Sequence, residues 1–130
     1  MKLQPDKNID SSVISGYGAG YVDVNGARHT SSLLLLPNAD RNQQLVAWPV
    51  SDIKALEATD FERVVEAAVE LVIIGTGSRQ RFVKPQLLQA LYAARIGVEM
   101  MNTQAACRTY NILAGEGRRV AAALLIESGV

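Results

Sequence analysis

The residues best suited to chemistry in this chain cluster in one short stretch: Gly75, Thr76, Gly77, Ser78, Arg79, Arg81 and Lys84. They follow the apolar run Leu71-Val72-Ile73-Ile74, whose length and β-branching suit a central strand covered on both faces. Two glycines allow a sharp exit from that strand, because positive φ costs glycine little. Backbone donors in such a turn, joined by Arg79, Arg81 or Lys84, could hold an anion. The plainer alternative is a tight turn between sheet and helix. A complete nucleotide motif is not present. A dinucleotide fingerprint needs a third glycine where Gln80 stands, and a helix that opens at once. A P-loop needs Gly-Lys-Ser or Gly-Lys-Thr at the loop's end.

A second polar group comprises Thr103, Asn111, Glu116 and Arg118. Asn has little intrinsic reason to sit two turns into a helix. The group either caps a helix and fixes the turn after it, or forms a recognition surface beside the 75–84 loop. Cys107, next to Arg108 and about one turn into that helix, has the surroundings that can lower a thiol's pKa. The small residues around it equally suit a buried structural cysteine. His29 is the only histidine, so any His-dependent nucleophile must use it, yet its place after a hairpin turn is ordinary for an exposed residue. No catalytic residue, metal ligand set or cofactor is predicted.

The whole chain narrows the classes further. Its 130 residues suffice for one domain with a sizeable core and no disulfide or metal staples. Lys plus Arg and Asp plus Glu number 13 each, so no overall field favours nucleic acid or an anionic membrane. One cysteine excludes an intramolecular disulfide and fits a reducing compartment. The N-terminus has no apolar signal core, and the longest apolar run, 120–126, is far short of the ~20 residues that span a bilayer. These features predict a cytoplasmic protein without membrane insertion.

Positioning these residues requires an α/β scaffold. Residues 1–12 are expected as a loosely held tail and 13–130 as one domain. Tyr17, Ala19 and Tyr21 alternate with Gly16, Gly18 and Gly20 in an early strand. Asn25-Gly26 signals a hairpin joining 21–24 to 27–32, with the second strand running on into 33–36 and stopping at 37–40. A further strand is expected at 45–50. Thr59 and Glu62 have the spacing of a capping box, ahead of a helix face made by Phe61, Val64, Val65 and Ala68. The rhythm then runs strand 71–75, helix 85–95, strand 98–101, helix 104–114 and strand 120–126. Leu87, Leu88, Leu91 and Tyr92 are expected to be buried, with Gly97 and Gly115 ending the two helices. The predicted architecture is a three-layer α/β domain: a central mixed, mostly parallel sheet, flanking helices and an N-terminal glycine-rich β-hairpin.

Ile73 to Gly77, Gly97 to Thr103, Ala105 to Leu113 and Glu116-Gly117-Arg118 together resemble a domain-of-unknown-function family. That family contains assembly factor 3 of mitochondrial complex I. The resemblance covers nearly the whole chain and implies a three-layer α/β fold with a mixed sheet. It implies no established catalysis, and a role exercised through protein contacts during assembly of a respiratory complex. The motif residues it carries over are Gly75, Thr76, Gly77, Thr103, Ala106, Asn111, Glu116 and Arg118. The expectation is therefore a non-enzymatic interaction module with another protein or an assembling complex as partner. It would present 75–84 and 115–119 as one surface. The alternative is a binder of a small anionic ligand, or an enzyme, using the crevice at Gly75-Thr76-Gly77.

Overall fold

The computed structural model describes residues 12–37 and 44–127. The expected tail therefore lies outside the described residues except for Ser12, and so does most of the stop at 37–40. Strands β1 (Ile14–Gly18), β2 (Tyr21–Val24) and β3 (Ala27–His29) form a small antiparallel sheet in that order. Strands β4 (Leu33–Leu35), β5 (Leu45–Ala47), β6 (Leu71–Gly75), β7 (Gly97–Met101) and β8 (Val120–Leu124) form the central sheet, ordered β5-β4-β8-β6-β7. Helices α1 (Glu62–Glu66), α2 (Gln89–Ala93) and α3 (Thr103–Gly115) flank it, with short 3-10 turns at Ile53–Ala55, Ala58–Phe61 and Pro85–Leu88.

The central sheet is mixed. β6 pairs in parallel with both β7 and β8, whereas β4 pairs antiparallel with β5 and with β8. Four of the five strands thus point the same way and β4 alone runs against them. Strict alternation along the strands divides the core into two faces. Leu33, Leu35, Ile73, Val120, Ala122 and Leu124 meet α3 and the small sheet; Leu34, Leu36, Val72, Ile74, Ala121 and Ala123 meet α1, α2 and the 3-10 turns. Val72, Ile73 and Ile74 are fully buried, as a strand covered on both sides requires. Each such side chain contributes about 1.5–3 kcal/mol by leaving water. Three layers result.

Several local expectations are corrected. The alternating glycine stretch is not one strand. The chain turns at Ala19-Gly20, where Gly20 has φ 80°, and Gly18 pairs with Tyr21. Gly18 is needed because a Cβ there would meet the Tyr21 ring at 2.7 Å, so the ring lies across the glycine backbone. The predicted hairpin turn has positive φ at both Asn25 (51°) and Gly26 (87°), as a type I′ geometry requires. β3, however, ends at His29, and β4 joins the other sheet. The expected strand 45–50 is paired only to Ala47; beyond it Trp48 turns inward and its indole N–H donates to the Asp60 carbonyl at 2.9 Å.

Helix termini depart from the glycine rule more than once. The box at Thr59 and Glu62 does not form. Instead the box forms two residues earlier, where the Glu57 backbone N–H donates to the Asp60 carboxylate at 2.7 Å. The left-handed turn after α1 falls on Ala68 (φ 55°) and that after α2 on Arg95 (φ 62°), both non-glycine residues. Gly97 does not end a helix; it opens β7, where a Cβ would press on Leu71 at 3.2 Å. The left-handed turn after α3 falls on Gly117 (φ 83°), and Gly115 is its last helical residue. The predicted helix 85–95 starts as a 3-10 turn with Pro85 in its first turn, and Tyr92 is half exposed instead of buried. Among the described residues no helix is long and apolar enough to cross a membrane.

Candidate functional site

Two adjacent parallel strands and one helix start fix the Gly75-Thr76-Gly77 turn. Leu125 donates its N–H to the Gly75 carbonyl (2.9 Å) and Thr76 donates its own to Met101 (2.8 Å). The turn and the start of α3 clasp each other: Thr103 N–H donates to the Gly77 carbonyl at 2.8 Å, and Gly77 N–H donates to Thr103 Oγ1 at 2.9 Å. The same hydroxyl donates to the Leu125 carbonyl at 2.7 Å. Gly75 owes its place to this closeness, since a Cβ there would lie 3.0 Å from Thr103 Cα. Gly77 has φ 100°, so it also supplies the left-handed turn. Thr76 is fully buried and organises the following loop: its hydroxyl donates to the Arg79 carbonyl at 2.7 Å and accepts from Arg81 N–H at 3.1 Å. The loop is anchored again where Val83 N–H reaches Met100 Sδ at 3.2 Å.

Glu127, just beyond β8, reaches back over this turn. Its Oε1 accepts from Ser78 N–H at 2.9 Å, and Oε2 lies 3.8 Å from Arg81 Nη2. A Cβ on Gly77 would come within 2.7 Å of the same carboxylate. The donors that could hold an external anion are therefore engaged by a carboxylate of the chain itself. Around it opens a cleft of about 840 Å³, walled by the Gly18–Tyr21 turn, residues 51–54, loop residues Gly77, Ser78, Arg79 and Arg81, the first turn of α3, and residues 125–127. It sits beyond the carboxyl ends of β6 and β8, where open α/β sheets usually take ligands. Tyr21, on its wall, is covered by Arg28, whose guanidinium carbon lies 3.8 Å from the ring centroid. Arg28 also pairs with Asp23 at 2.9 Å, which holds that carboxyl below its ordinary value.

The expected surface uniting 75–84 with 115–119 does not form. β6 and β8 run in parallel with Leu71 opposite Val120 and Gly75 opposite Leu124, so the loop leaves one end of the sheet and the turn enters at the other. Strand rise puts the two ends about 13 Å apart. Arg118 instead pairs with Glu70 at 3.3 Å, and Arg119 N–H donates to the same carboxylate at 3.0 Å. These contacts, with the Arg119 backbone bond foremost, lower the Glu70 pKa. Glu116 closes α3 through its backbone N–H. Asn111 clamps β1: its Oδ1 accepts from Ile14 N–H at 3.1 Å and its Nδ2 donates to the Ile14 carbonyl at 2.7 Å. Of the second polar group, only Thr103 belongs to the cleft.

Lys84 is exposed and does not line the cleft. Cys107 is fully buried, and burial pushes its thiol up to about 12, the opposite of activation. His29 lies on β3 opposite Val22 and is half-buried instead of exposed, with its Nε2 buried and without a hydrogen-bond partner among the described residues. Among the described residues no cluster of three or more His, Cys, Asp or Glu side chains has the arrangement of a metal site. Sequence reasoning missed Glu127, the Gly18–Tyr21 wall and the 51–54 segment. The strand order, which places β8 beside β6, brings Glu127 to the turn.

Fold and site together define a three-layer α/β domain with a cleft at the carboxyl ends of its parallel strands. The family model for a protein of unknown function (DUF498/DUF598) matches residues 14–125, and the chain belongs to that family. Among curated proteins it is similar to NADH dehydrogenase (ubiquinone) 1 alpha subcomplex assembly factor 3 of Bos taurus, 33% identical over 129 residues, covering 98% of this chain and 67% of the bovine protein. The Homo sapiens counterpart is 33% identical over 118 residues, covering 89% of this chain and 61% of its own length. The chain thus spans only about three-fifths to two-thirds of these relatives. An uncharacterised Rhodobacter capsulatus protein is 36% identical over 116 residues, covering 89% of this chain and 86% of that one. Among solved structures, a Bordetella parapertussis protein superposes with TM-score 0.82 at 38% identity, over 90% of this chain and 97% of that one. A Mth938-like domain from Bordetella pertussis gives 0.76 at 32% identity, over 98% and 93%.

Proposed function

We propose that this chain is a non-enzymatic interaction module that assists assembly of a membrane-associated complex of the respiratory complex I type. The relatives named as complex I assembly factors supply the class of partner. One observation carries the choice of surface: Phe82 is 76% exposed on a loop whose backbone is fastened on either side of it. A large aromatic on an anchored backbone has little backbone freedom left to lose when a partner covers it, and such aromatics are frequent binding hot spots. Lys84 beside it is exposed and adds a cation, so the partner surface that fits is an apolar pocket with an acidic rim.

The test is recovery of a defined partner by the tagged chain and by Phe82→Ala and Lys84→Glu, from mildly solubilised membranes of the source organism. Complex I-type subunits should be captured by the wild type and lost with Phe82→Ala, at a cost of about 2 kcal/mol or ~30-fold in affinity. Equal capture of those subunits by Phe82→Ala would remove this surface. Failure of the wild type to recover any of them would remove the assembly role.

A further inference from the structure

We infer that the cleft beside Gly77 binds a small organic carboxylate, in the seat that Glu127 fills. The seat has the features of a carboxylate cradle. Ser78 N–H holds one oxygen, Arg81 faces the other, and the missing side chain of Gly77 lets the group lie directly against the backbone. Glu127 holds the seat loosely. Its ion pair with Arg81 is long, 3.8 Å, and both partners are about 30% exposed, a combination that solvent weakens. The structure therefore shows a site built for a carboxylate and occupied by one that can leave.

The rest of the cleft describes the remainder of the ligand. Its volume of about 840 Å³ falls within the range of small-molecule sites. Ile53, Leu125 and Ile126 give it an apolar wall, and Lys54 and Arg79 join Arg81 in lining it. Once Glu127 swings out, three cations and one remaining carboxylate, that of Asp52, line the cleft among the described residues. A compact apolar body carrying one carboxylate satisfies both the wall and the charge. Inorganic phosphate shares the charge but has nothing to place against the apolar wall. Neither Phe82 nor Lys84 lines the cleft, so this site stands apart from the partner surface.

The internal carboxylate competes with any external one. If Glu127 occupies the seat nine-tenths of the time, removing it tightens external binding about tenfold. The experiment titrates the full chain, followed by ¹⁵N amide shifts, with 4-methylpentanoate, the corresponding neutral amide and inorganic phosphate. Wild type, Glu127→Ala, the milder Glu127→Gln, and Glu127→Ala with Arg81→Gln are compared. The expected result is about tenfold tighter 4-methylpentanoate binding by Glu127→Ala than by wild type. Shifts should centre on Gly77, Ser78 and Ile53, be absent with the amide, and be lost with Arg81→Gln. Equal affinity in wild type and in both Glu127 variants, or no localised shift in either variant, overturns the seat. Phosphate binding as tight as that of the carboxylate overturns the ligand class.

Discussion

Replacing Thr103 by Val tests whether one hydroxyl holds the cleft's floor together. Thr and Val have nearly the same shape, so the change leaves no cavity and removes only the polar atom. That atom accepts from Gly77 N–H at 2.9 Å and donates to the Leu125 carbonyl at 2.7 Å, and all three residues are buried. Both backbone groups lose their partner at once. An orphaned buried donor or acceptor costs about 1–3 kcal/mol, so Thr103→Val, which orphans two, should cost about 2–6 kcal/mol. Thr103→Ser keeps the hydroxyl and loses one methyl, for less than about 1 kcal/mol. Urea unfolding of the two variants reads the difference. With m of ~2 kcal/mol/M, the Val midpoint should fall by about 1–3 M at unchanged m, and the Ser midpoint by much less. A Val variant no less stable than the Ser variant would refute the argument, because the hydroxyl would then be dispensable. An unchanged Gly77 amide shift in Thr103→Val would refute it independently.

Asn111→Ala removes both side-chain bonds to the Ile14 backbone, so stability should fall by about 1–3 kcal/mol. Hydrogen exchange at the Ile14 amide should quicken well beyond that global loss, and unchanged protection there would show that β1 is held by other means. Cys107 should resist thiol reagents in the folded protein at neutral pH, and alkylation at the rate of the denatured thiol would contradict its burial. Its pKa also carries a pH prediction: burial raises it to about 12 in the folded state from an ordinary 9.0, so above pH 9 the unfolded chain loses this proton first. Stability should therefore fall as pH rises from 9 toward 12. Cys107→Ala should flatten the early part of that fall, leaving the contribution of Tyr110, whose buried hydroxyl is likewise raised to about 12.

Much of the scaffold could be read from residue patterns, for reasons visible in the structure. Val72-Ile73-Ile74 signalled a doubly covered strand because it had no polar parity, and Asn25-Gly26 forced the one turn that needs two positive φ values. The crevice at Gly75-Thr76-Gly77 was foreseeable from a strand ending in glycines. Its occupant was not: Glu127 is 50 residues beyond Gly77 and reaches it only because β8 lies beside β6. Local signals also failed where tertiary packing overrode them. Arg95 and Ala68 adopt the left-handed conformation that glycine would favour, while Gly97 sits in a strand where a Cβ would press on the Leu71 side chain. Arg118 and Asn111 looked like recognition residues, and both proved to be ties between elements whose partners, Glu70 and Ile14, are far away in sequence.

The place of β8 in the sheet also bears on how the protein is made. In the order β5-β4-β8-β6-β7, a strand that follows the other four in sequence lies between two pairs translated before it. No strand pairing joins β4 to β6 without it. While a nascent chain still holds residues 120–124 within the ribosome, it carries two half-sheets with exposed edges and an open apolar seam between them. Val120-Ala121-Ala122-Ala123-Leu124 then has to enter a slot closed on both sides and both faces, which suits its small side chains. The sheet can be completed only after those residues emerge. A nascent chain stalled before them would be a natural target for chaperones that cover strand edges.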